Sequence, residues 1–319
     1  MVHERAERVL SHEHPPGTNT KCVSLSGSHI SNVRNGAVLF ASQLLFSSNQ
    51  IDHFGDDGID FAASNLAITK NNTHDNLDIG DGNHEDAMQG QIGILAPGAT
   101  VNRFQNILID SNFVIRQMDS TLPFQTYLQG ISAFDADWTN VKVTNNVVIT
   151  STCSGIGFSS IHNGLIANNT VVADGRIATP GCTAAVSVGD KTHTGASSNN
   201  TVVRNNLASR MQIYNINNGV VADHNVVMLG VSPGIIWYVN GVVQYLGKPG
   251  TYTNGNIIDS AGPTSEFVNF NPSTLTYNMM LKAGAPAIGT GTATGAPTID
   301  ILGAPRAAPY TAGAYGYPR

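Results

Sequence analysis

Charged residues are scarce in this chain of 319 amino acids, where they make up only 12%. The formal net charge is -6, from 16 Lys and Arg against 22 Asp and Glu. A nucleic-acid surface needs clustered Lys and Arg to neutralise phosphates, and the sequence has no such cluster. We therefore exclude nucleic acid as a partner.

Long apolar runs are also lacking, since no stretch of about 18 apolar residues occurs to span a membrane. The first residues, MVHERAERVLSHEHPPG, have no apolar core and no small-residue cleavage site, so they are not a secretory signal as written.

The three cysteines are too few for a disulfide framework and lack zinc-site spacing. Cys153 and Cys182 precede equivalent rows of neighbouring coils, where we favour buried thiols over a disulfide.

A repeated motif is what the sequence does contain: one or two Asn followed by β-branched or apolar residues. It occurs at Asn49, Asn72, Asn112, Asn146, Asn169, Asn206 and Asn225. Three of the steps are 19 to 23 residues long and the others are 34 to 40, which indicates coils with inserted loops. Such self-similarity predicts a solenoid.

The chemistry of the motif favours a parallel β-helix. Asn tolerates the left-handed backbone conformation that a sharp corner needs, and stacked Asn side chains can hydrogen-bond along the stack. The segments before each Asn, such as LAIT at 66–69 and VKVT at 141–144, alternate inward apolar and outward polar residues. With 33 Gly and many Asn interrupting the chain, helices have no support.

A second strand can be aligned in each coil by using the Asn corner as a register mark. The aligned rows are 35–38, 57–60, 86–89, 129–132, 154–157 and 183–186. The third residue of each row points inward. Two outward columns follow, Asp57 with Asp86 and Gln129, and Asp60 with Gln89 and Ser132, at steps of about 4.8 Å. The sequence therefore predicts a polar groove.

Several stretches resemble bacterial right-handed parallel β-helix repeat proteins of the pectin-lyase-like superfamily, namely GDDGIDF, NHEDAMQ, LPFQTYLQGISAFDADWTNVKVTNNVVIT and NGLIANNTVVADG. A His-x-Asp-x-x-Gln segment recurs in that superfamily, and His84, Asp86 and Gln89 match it. The tail, with Asp300 and Pro305-Arg306, is similar to the C-terminal cap of secreted relatives. The resemblance implies an all-β, single-stranded right-handed parallel β-helix, secreted or periplasmic and monomeric.

The repeat and the resemblance of the tail together divide the chain into three parts. Residues 24–260 are expected to form the coils, and residues 261–319 the C-terminal cap or tail. Residues 1–23 form an N-terminal segment that we expect to be truncated or irregular.

Clustered carboxylates suggest a metal site in the groove. Asp57, Asp60 and Asp86 fall on adjacent coils, where their repulsion must be relieved by a proton or by a cation such as calcium. The resemblance adds that calcium neutralises the uronate carboxylate in β-helix lyases. We assign only local turn roles to Asp75, Asp78 and Asp81.

His84 is the candidate catalytic histidine, because Asp86, two residues later, can hold its imidazole for acid or base chemistry. Asp57 is the third catalytic candidate. Gln89 and Gln129 are candidates for contacts with sugar hydroxyls.

Further candidates for substrate binding flank the Gln129 row. Asp135 could bind sugar hydroxyls, and Trp138 could carry a pyranose ring, although we favour a packed position for Trp138. Arg103 and Arg116 are candidates to bind a uronate carboxylate, or else solvated charges.

Four functions remain open from the sequence. The first is a lyase that cleaves an acidic, uronate-containing polysaccharide by β-elimination, with calcium as the expected ion. The second is a glycoside hydrolase using Asp57 and Asp86, whose positions on adjacent coils leave little room for an inverting water. A uronate epimerase and a non-catalytic glycan-binding solenoid are the others, since fold alone does not choose.

Overall fold

The computed structural model describes residues 22–78, 82–91, 101–122, 127–175, 183–190, 196–214, 218–228, 253–260 and 262–318. It also describes the backbone of four short strands, Val9–Leu10, Ile235–Val239, Val242–Leu246 and Gly250–Thr251. Short β-strands dominate this part of the chain.

The strands in chain order are β1 (Val9–Leu10), β2 (Val23–Ser26), β3 (His29–Val33), β4 (Ala37–Leu39), β5 (Leu44–Ser47), β6 (Gln50–Phe54), β7 (Ile59–Phe61), β8 (Leu66–Thr69), β9 (Asn72–His74), β10 (Asp86–Gly90), β11 (Arg103–Asp110), β12 (Phe113–Ile115), β13 (Gln129–Ala133), β14 (Asp137–Thr144), β15 (Val147–Thr150) and β16 (Ser154–Phe158). They continue with β17 (Ile161–His162), β18 (Leu165–Ala167), β19 (Thr170–Ala173), β20 (Ala185–Val188), β21 (Val202–Arg204), β22 (Leu207–Ala208), β23 (Arg210–Ile213), β24 (Val221–Asp223), β25 (Val226–Met228), β26 (Ile235–Val239), β27 (Val242–Leu246), β28 (Gly250–Thr251), β29 (Ile257–Asp259), β30 (Phe267–Asn271) and β31 (Thr276–Leu281). One short helix, α1 (Pro263–Glu266), and 3-10 turns at Thr253–Gly255 and Pro272–Thr274 complete the elements.

Three long sheets run along the coils. Sheet A has the order β1-β4-β7-β10-β13-β16-β20-β23-β26-β27, sheet B the order β2-β5-β8-β11-β14-β18-β21-β24, and sheet C the order β3-β6-β9-β12-β15-β19-β22-β25-β29-β28. Neighbouring strands are parallel except in the pairs β26–β27 and β28–β29. The chain therefore passes through sheets A, B and C once in each coil, which confirms the predicted parallel β-helix. Within the described residues, no helix is long and apolar enough to cross a membrane.

A ladder of buried Asn side chains joins the coils where sheet B turns into sheet C. In each step the Nδ2 of one Asn donates to the Oδ1 of the next at 2.9 to 3.1 Å, and a second N–H of the same Nδ2 donates to a backbone carbonyl. The members are Asn49, Asn71, Asn112, Asn146, Asn169, Asn206, Asn225 and Asn256. Because each side chain bonds in both directions, the ladder fixes the stacking register.

The left-handed residue of the corner is the one before each ladder Asn. Lys70 has φ 56°, Asn145 has φ 55° and His224 has φ 52°. In the pairs Asn145-Asn146, Asn168-Asn169 and Asn205-Asn206, the first Asn adopts the left-handed conformation and the second forms the ladder, so the corner and ladder roles belong to different residues. Our choice of Asn72 in the motif KNNTH is wrong by one position: Asn72 begins β9 and pairs with Phe113, and Asn71 is the ladder member.

Sheet A has the register predicted from the sequence for its first five rows. Asp86 pairs with Gln129 and Gln89 with Ser132, and Gln89 also pairs with Asp60. The Gly in these rows allows close stacking, since a Cβ on Gly130 would lie only 2.0 Å from the carbonyl oxygen of Gly155.

The sixth row is wrong by one residue. Ile156 pairs with Val186, not with Ala185, because the register shifts at an irregularity between Ser154 and Ile156.

The expectation of buried thiols at Cys153 and Cys182 is also corrected. Cys153 is disulfide-bonded, and Cys182 lies outside the described residues.

The interior of the coils is a continuous apolar core. Columns such as Phe46, Ile68, Ile109 and Val143 are fully buried on the inner face of sheet B. Burial of each such side chain contributes about 1.5 to 3 kcal/mol before the entropy of ordering is subtracted.

The C-terminal residues pack against the outer face of sheet C. Val147, Val172 and Leu207 face outward there and form a second apolar cluster with Ala312 and Tyr315 of the tail. Thus the tail covers an apolar face that would otherwise meet water.

Corner Asn side chains hold the tail in place. The Arg306 guanidinium donates to Asn145 Oδ1 at 2.7 Å, and Asn168 Nδ2 donates to the carbonyl of Thr311 at 3.1 Å. In the paired-Asn motif the outer Asn therefore binds the tail and the inner Asn binds its neighbouring coils.

Replacement of Asn146 by Ala should lower the free energy of unfolding by about 3 kcal/mol or more. The change removes the acceptor of the backbone N–H and of the Nδ2 of buried Asn112, and it removes the side-chain donor to the Ile109 carbonyl. Each buried group left without a partner costs roughly 1 to 3 kcal/mol. Chemical denaturation measures this loss. Asn106→Gly is the matched control, since Asn106 is exposed, has φ 59° and stacks only on other exposed Asn. Equal losses in the two variants would contradict the ladder's role.

Candidate functional site

A pocket of about 320 Å³ lies on sheet A, at strands β10 and β13. It is lined by His84, Asp86, Gln89, Gly90, Gln129, Ser132, Phe134 and Asp135. Five of the residues selected from the sequence are in this set: His84, Asp86, Gln89, Gln129 and Asp135. The pocket is therefore the part of the predicted groove where candidate residues meet.

Strand register explains why these residues come together. Asp86 and Gln129 begin adjacent parallel strands and pair directly, and Gln89 pairs with Ser132 three residues later. Met88 and Ile131, between them, are fully buried in the core. The strands are thus anchored from inside while their polar residues line the pocket.

His84 and Asp86 form a hydrogen-bonded pair, as their spacing predicted. His84 Nδ1 lies 2.9 Å from Asp86 Oδ2. The His84 side chain is 60% exposed and that of Asp86 is 0% exposed. With Nδ1 held by the carboxylate, Nε2 is the ring nitrogen left to face a ligand.

The pair retains a proton more strongly than free side chains would. The hydrogen bond to Asp86 raises the pKa of His84 above 6.5, and burial raises the pKa of Asp86. Gln89 Nε2 also lies 3.4 Å from Asp86 Oδ2, whereas Asp86 Oδ1 has no partner among the described residues. His84 can therefore act as a base only after it loses the shared proton.

Asp57 supports the site but does not line it. Its Oδ1 accepts a hydrogen bond from the backbone N–H of Asp86 at 2.8 Å, and its side chain is buried. A catalytic or hydrolytic role for Asp57 thus does not fit its position. Its contact instead holds the start of β10 on the preceding coil.

Asp57 and Asp60 form a buried carboxyl pair. Burial raises the pKa of both groups, and for Asp57 the charge of Asp60 raises it further. Asp60 also accepts from Gln91 Nε2 at 2.7 Å and from Asn35 Nδ2 at 3.2 Å. Both carboxyl groups therefore hold a proton to higher pH than a free Asp would.

Glu85 is a further buried acid beside the pocket. Burial raises its pKa to about 7, and its Oε1 has no hydrogen-bond partner in the part of the chain that is described. Its backbone carbonyl accepts from the N–H of Gln129, so it helps to fix the register of β13.

The calcium hypothesis finds no matching ligand arrangement. Asp57, Asp60 and Asp86 have suitable oxygen donors, but among the described residues no three His, Cys, Asp or Glu side chains are arranged to hold one ion. Calcium at these residues stays a prediction from the sequence.

Trp138 is a core residue and cannot carry a sugar ring. It is 0% exposed, and its ring lies 5.5 Å from that of Phe61 and 5.2 Å from that of Phe104. The substrate-binding role considered for Trp138 is therefore wrong, and the packed alternative is correct.

Neither candidate arginine lines the pocket. Arg116 is 1% exposed, and its Nε lies 2.5 Å from Asp174 Oδ2, so it neutralises a buried carboxylate. Arg103 is exposed on β11 of sheet B, with its Nε 3.3 Å from Asp137 Oδ2. A uronate-binding role is thus excluded for Arg116, and Arg103 points its charge to a different face.

Three lining residues were missed among the sequence candidates, namely Gly90, Ser132 and Phe134. Ser132 was visible as the column partner of Gln89, and its hydroxyl lies 3.5 Å from Gln129 Oε1. Phe134, which follows β13, gave no signal, because an aromatic residue after a strand is usually read as core.

Comparisons with known proteins give a partial structural match and no sequence match. No family model and no curated protein match the sequence. The solved structure of pectate lyase Pel9A is similar over 92% of this chain and 72% of that chain, with 13% identity and a TM-score of 0.42. The parallel β-helix itself rests on the parallel strand pairing in three sheets of this chain.

We expect the melting temperature to fall as the pH rises from 5 to 8, and to fall less in Asp57→Asn than in the wild type. A carboxyl group whose folded pKa is raised stabilises the fold below its ordinary pKa, and that contribution is lost as the pH rises toward the folded pKa. Asn keeps an oxygen for the Asp86 N–H but never ionises. Melting temperatures at the two pH values measure the effect, and the wild type should lose several degrees more than the variant.

The exposed Asp135 provides the matched control, as Asp135→Asn should leave the pH dependence unchanged. An Asp57→Asn variant with the wild-type decline would refute the carboxyl pair. The same melts with calcium or chelator test the metal: a calcium-dependent rise in melting temperature that Asp57→Asn abolishes would restore the calcium hypothesis.

Proposed function

We propose that this protein is a polysaccharide lyase that cleaves a uronate-containing polysaccharide by β-elimination at the sheet A pocket. The observation that carries the proposal is the exposed imidazole of His84, oriented by the buried carboxylate of Asp86 within a polar pocket. Such an orientation prepares Nε2 to remove a proton.

In the proposed reaction Nε2 of His84 removes the proton at C5 of a uronate, next to its carboxyl group. The electron pair forms the C4–C5 double bond, and the sugar linked at C4 leaves with a proton from water. Asp86 stabilises the imidazolium that forms.

The pocket composition favours an uncharged carboxyl group on the bound sugar. Asp86 and Asp135 line it, while the described lining holds no Lys or Arg. Amides of Gln89 and Gln129 and the Ser132 hydroxyl are neutral groups suited to sugar hydroxyls and an ester carbonyl. We therefore expect methyl-esterified polyuronates to be better substrates than the free acids.

Loss of His84 should abolish most of the elimination. We expect His84→Ala to lower kcat by about 100-fold or more, as for removal of a general base. The assay follows the ultraviolet absorbance of unsaturated products from free and esterified polyuronates. His29→Ala is the control, because His29 is 61% exposed and pairs with buried Asp52 at 2.6 Å on sheet C.

The products also separate the alternative functions. New reducing ends without unsaturation would show hydrolysis, and inversion at C5 without cleavage would show an epimerase. Binding without turnover, unaffected by His84→Ala, would show a glycan-binding solenoid. Any of these outcomes would contradict the lyase proposal.

The pH profile provides a second test of the His84–Asp86 pair. Because the base form is the neutral imidazole, kcat/KM should rise with pH through a pKa above 6.5 in the wild type. Asp86→Asn removes the largest cause of the raised pKa, so the rise should move to lower pH while kcat falls about tenfold or more. A variant whose profile does not move would exclude Asp86 as the positioning residue.

A further inference from the structure

A second concave surface, which we call the sheet B groove, lies on the outer face of sheet B. It has a volume of about 580 Å³ and is lined by Asn106, Ile107, Leu108, Asn140, Lys142, Asn163 and Leu165. None of these residues belongs to the sheet A pocket. Strands β11 and β14 of this groove directly follow β10 and β13 in the chain, so both surfaces are on the same coils.

Two parallel columns build the groove. Exposed Asn side chains form one: Asn106 Nδ2 donates to Asn65 Oδ1 at 2.9 Å, and Asn140 Nδ2 donates to Asn106 Oδ1 at 3.2 Å. The other column pairs Leu108 with Lys142 and Lys142 with Leu165. Asn106, which is bonded on both sides, still has one N–H and one oxygen lone pair for a ligand. The columns repeat at about 4.8 Å.

The charge of Lys142 favours a ligand with a carboxylate over a second copy of the chain in this groove. Lys142 is exposed, and it is the charged residue among those that line the groove. In a two-fold dimer through this face, Lys142 would be desolvated near its own copy, which costs free energy through like-charge repulsion. A second copy of the chain therefore fits poorly, whereas a ligand with a carboxylate complements the ammonium group.

We propose that the sheet B groove binds a free-acid segment of the same uronate polysaccharide that the sheet A pocket cleaves. The Asn amides meet sugar hydroxyls, the Leu108 and Leu165 side chains meet the C–H face of a pyranose ring, and Lys142 pairs with a uronate carboxylate. The inference rests on the proposed function for the identity of the polymer. It assigns anchoring to sheet B and cleavage to sheet A.

Native electrophoresis in gels containing polygalacturonate, alginate or neutral dextran tests the proposal at low ionic strength, where charge pairing is least screened. We expect both acidic polymers to retard the wild type and His84→Ala alike. Lys142→Gln and Asn140→Gly should weaken this retardation about fivefold or more, and dextran should have no effect. Lys70→Gln is the control, since Lys70 is exposed at a corner outside the groove.

The outcomes separate the two proposals. Retardation that depends on Lys142, but without turnover of any polymer, would overturn only the lyase function. If the protein cleaves a polymer but Lys142→Gln is retarded as strongly as Lys70→Gln, the groove does not bind the polymer. The absence of any retardation of the wild type would also overturn the groove proposal. A change of mass on light scattering in Lys142→Gln would reveal an interface between copies and would also overturn it. Unchanged melting temperatures verify that the variants are folded.

Discussion

The buried Asn ladder is the interaction on which the rest of this molecule depends. Its side chains bond to both neighbouring coils, so a coil cannot slip by one residue without breaking several buried hydrogen bonds. A one-residue slip would also turn every outward side chain inward. The ladder therefore sets the positions of polar columns on sheets whose strands are only a few residues long.

Both candidate binding surfaces follow from that fixed register. On sheet A it places Asp86 beside Gln129 and lets a buried carboxylate orient the exposed imidazole of His84. On sheet B the same coils align exposed amides beside Lys142. The tail covers the outer face of sheet C at the later coils.

The fold was largely predictable from the sequence, because Asn spacing and strand alternation are local signals. The Asn71 position was missed, since in KNNTH nothing local tells the left-handed residue from the ladder residue. The site was predicted only in part. Register gave His84, Asp86, Gln89 and Gln129, but the burial of Trp138 and Arg116 depends on contacts with distant coils. The irregularity between Ser154 and Ile156 also shifts the pairing of Ile156, and no pattern in the sequence signals it.

In the proposed reaction His84 Nε2 faces the reacting sugar on sheet A. A crystal structure of His84→Gln soaked with a methyl-esterified uronate oligosaccharide is the direct test. We expect a sugar in the pocket between Gln89 and Gln129, with its C5 next to the replaced side chain. An oligosaccharide bound elsewhere on the solenoid, with residue 84 and Asp86 away from it, would show that His84 does not face the reacting sugar.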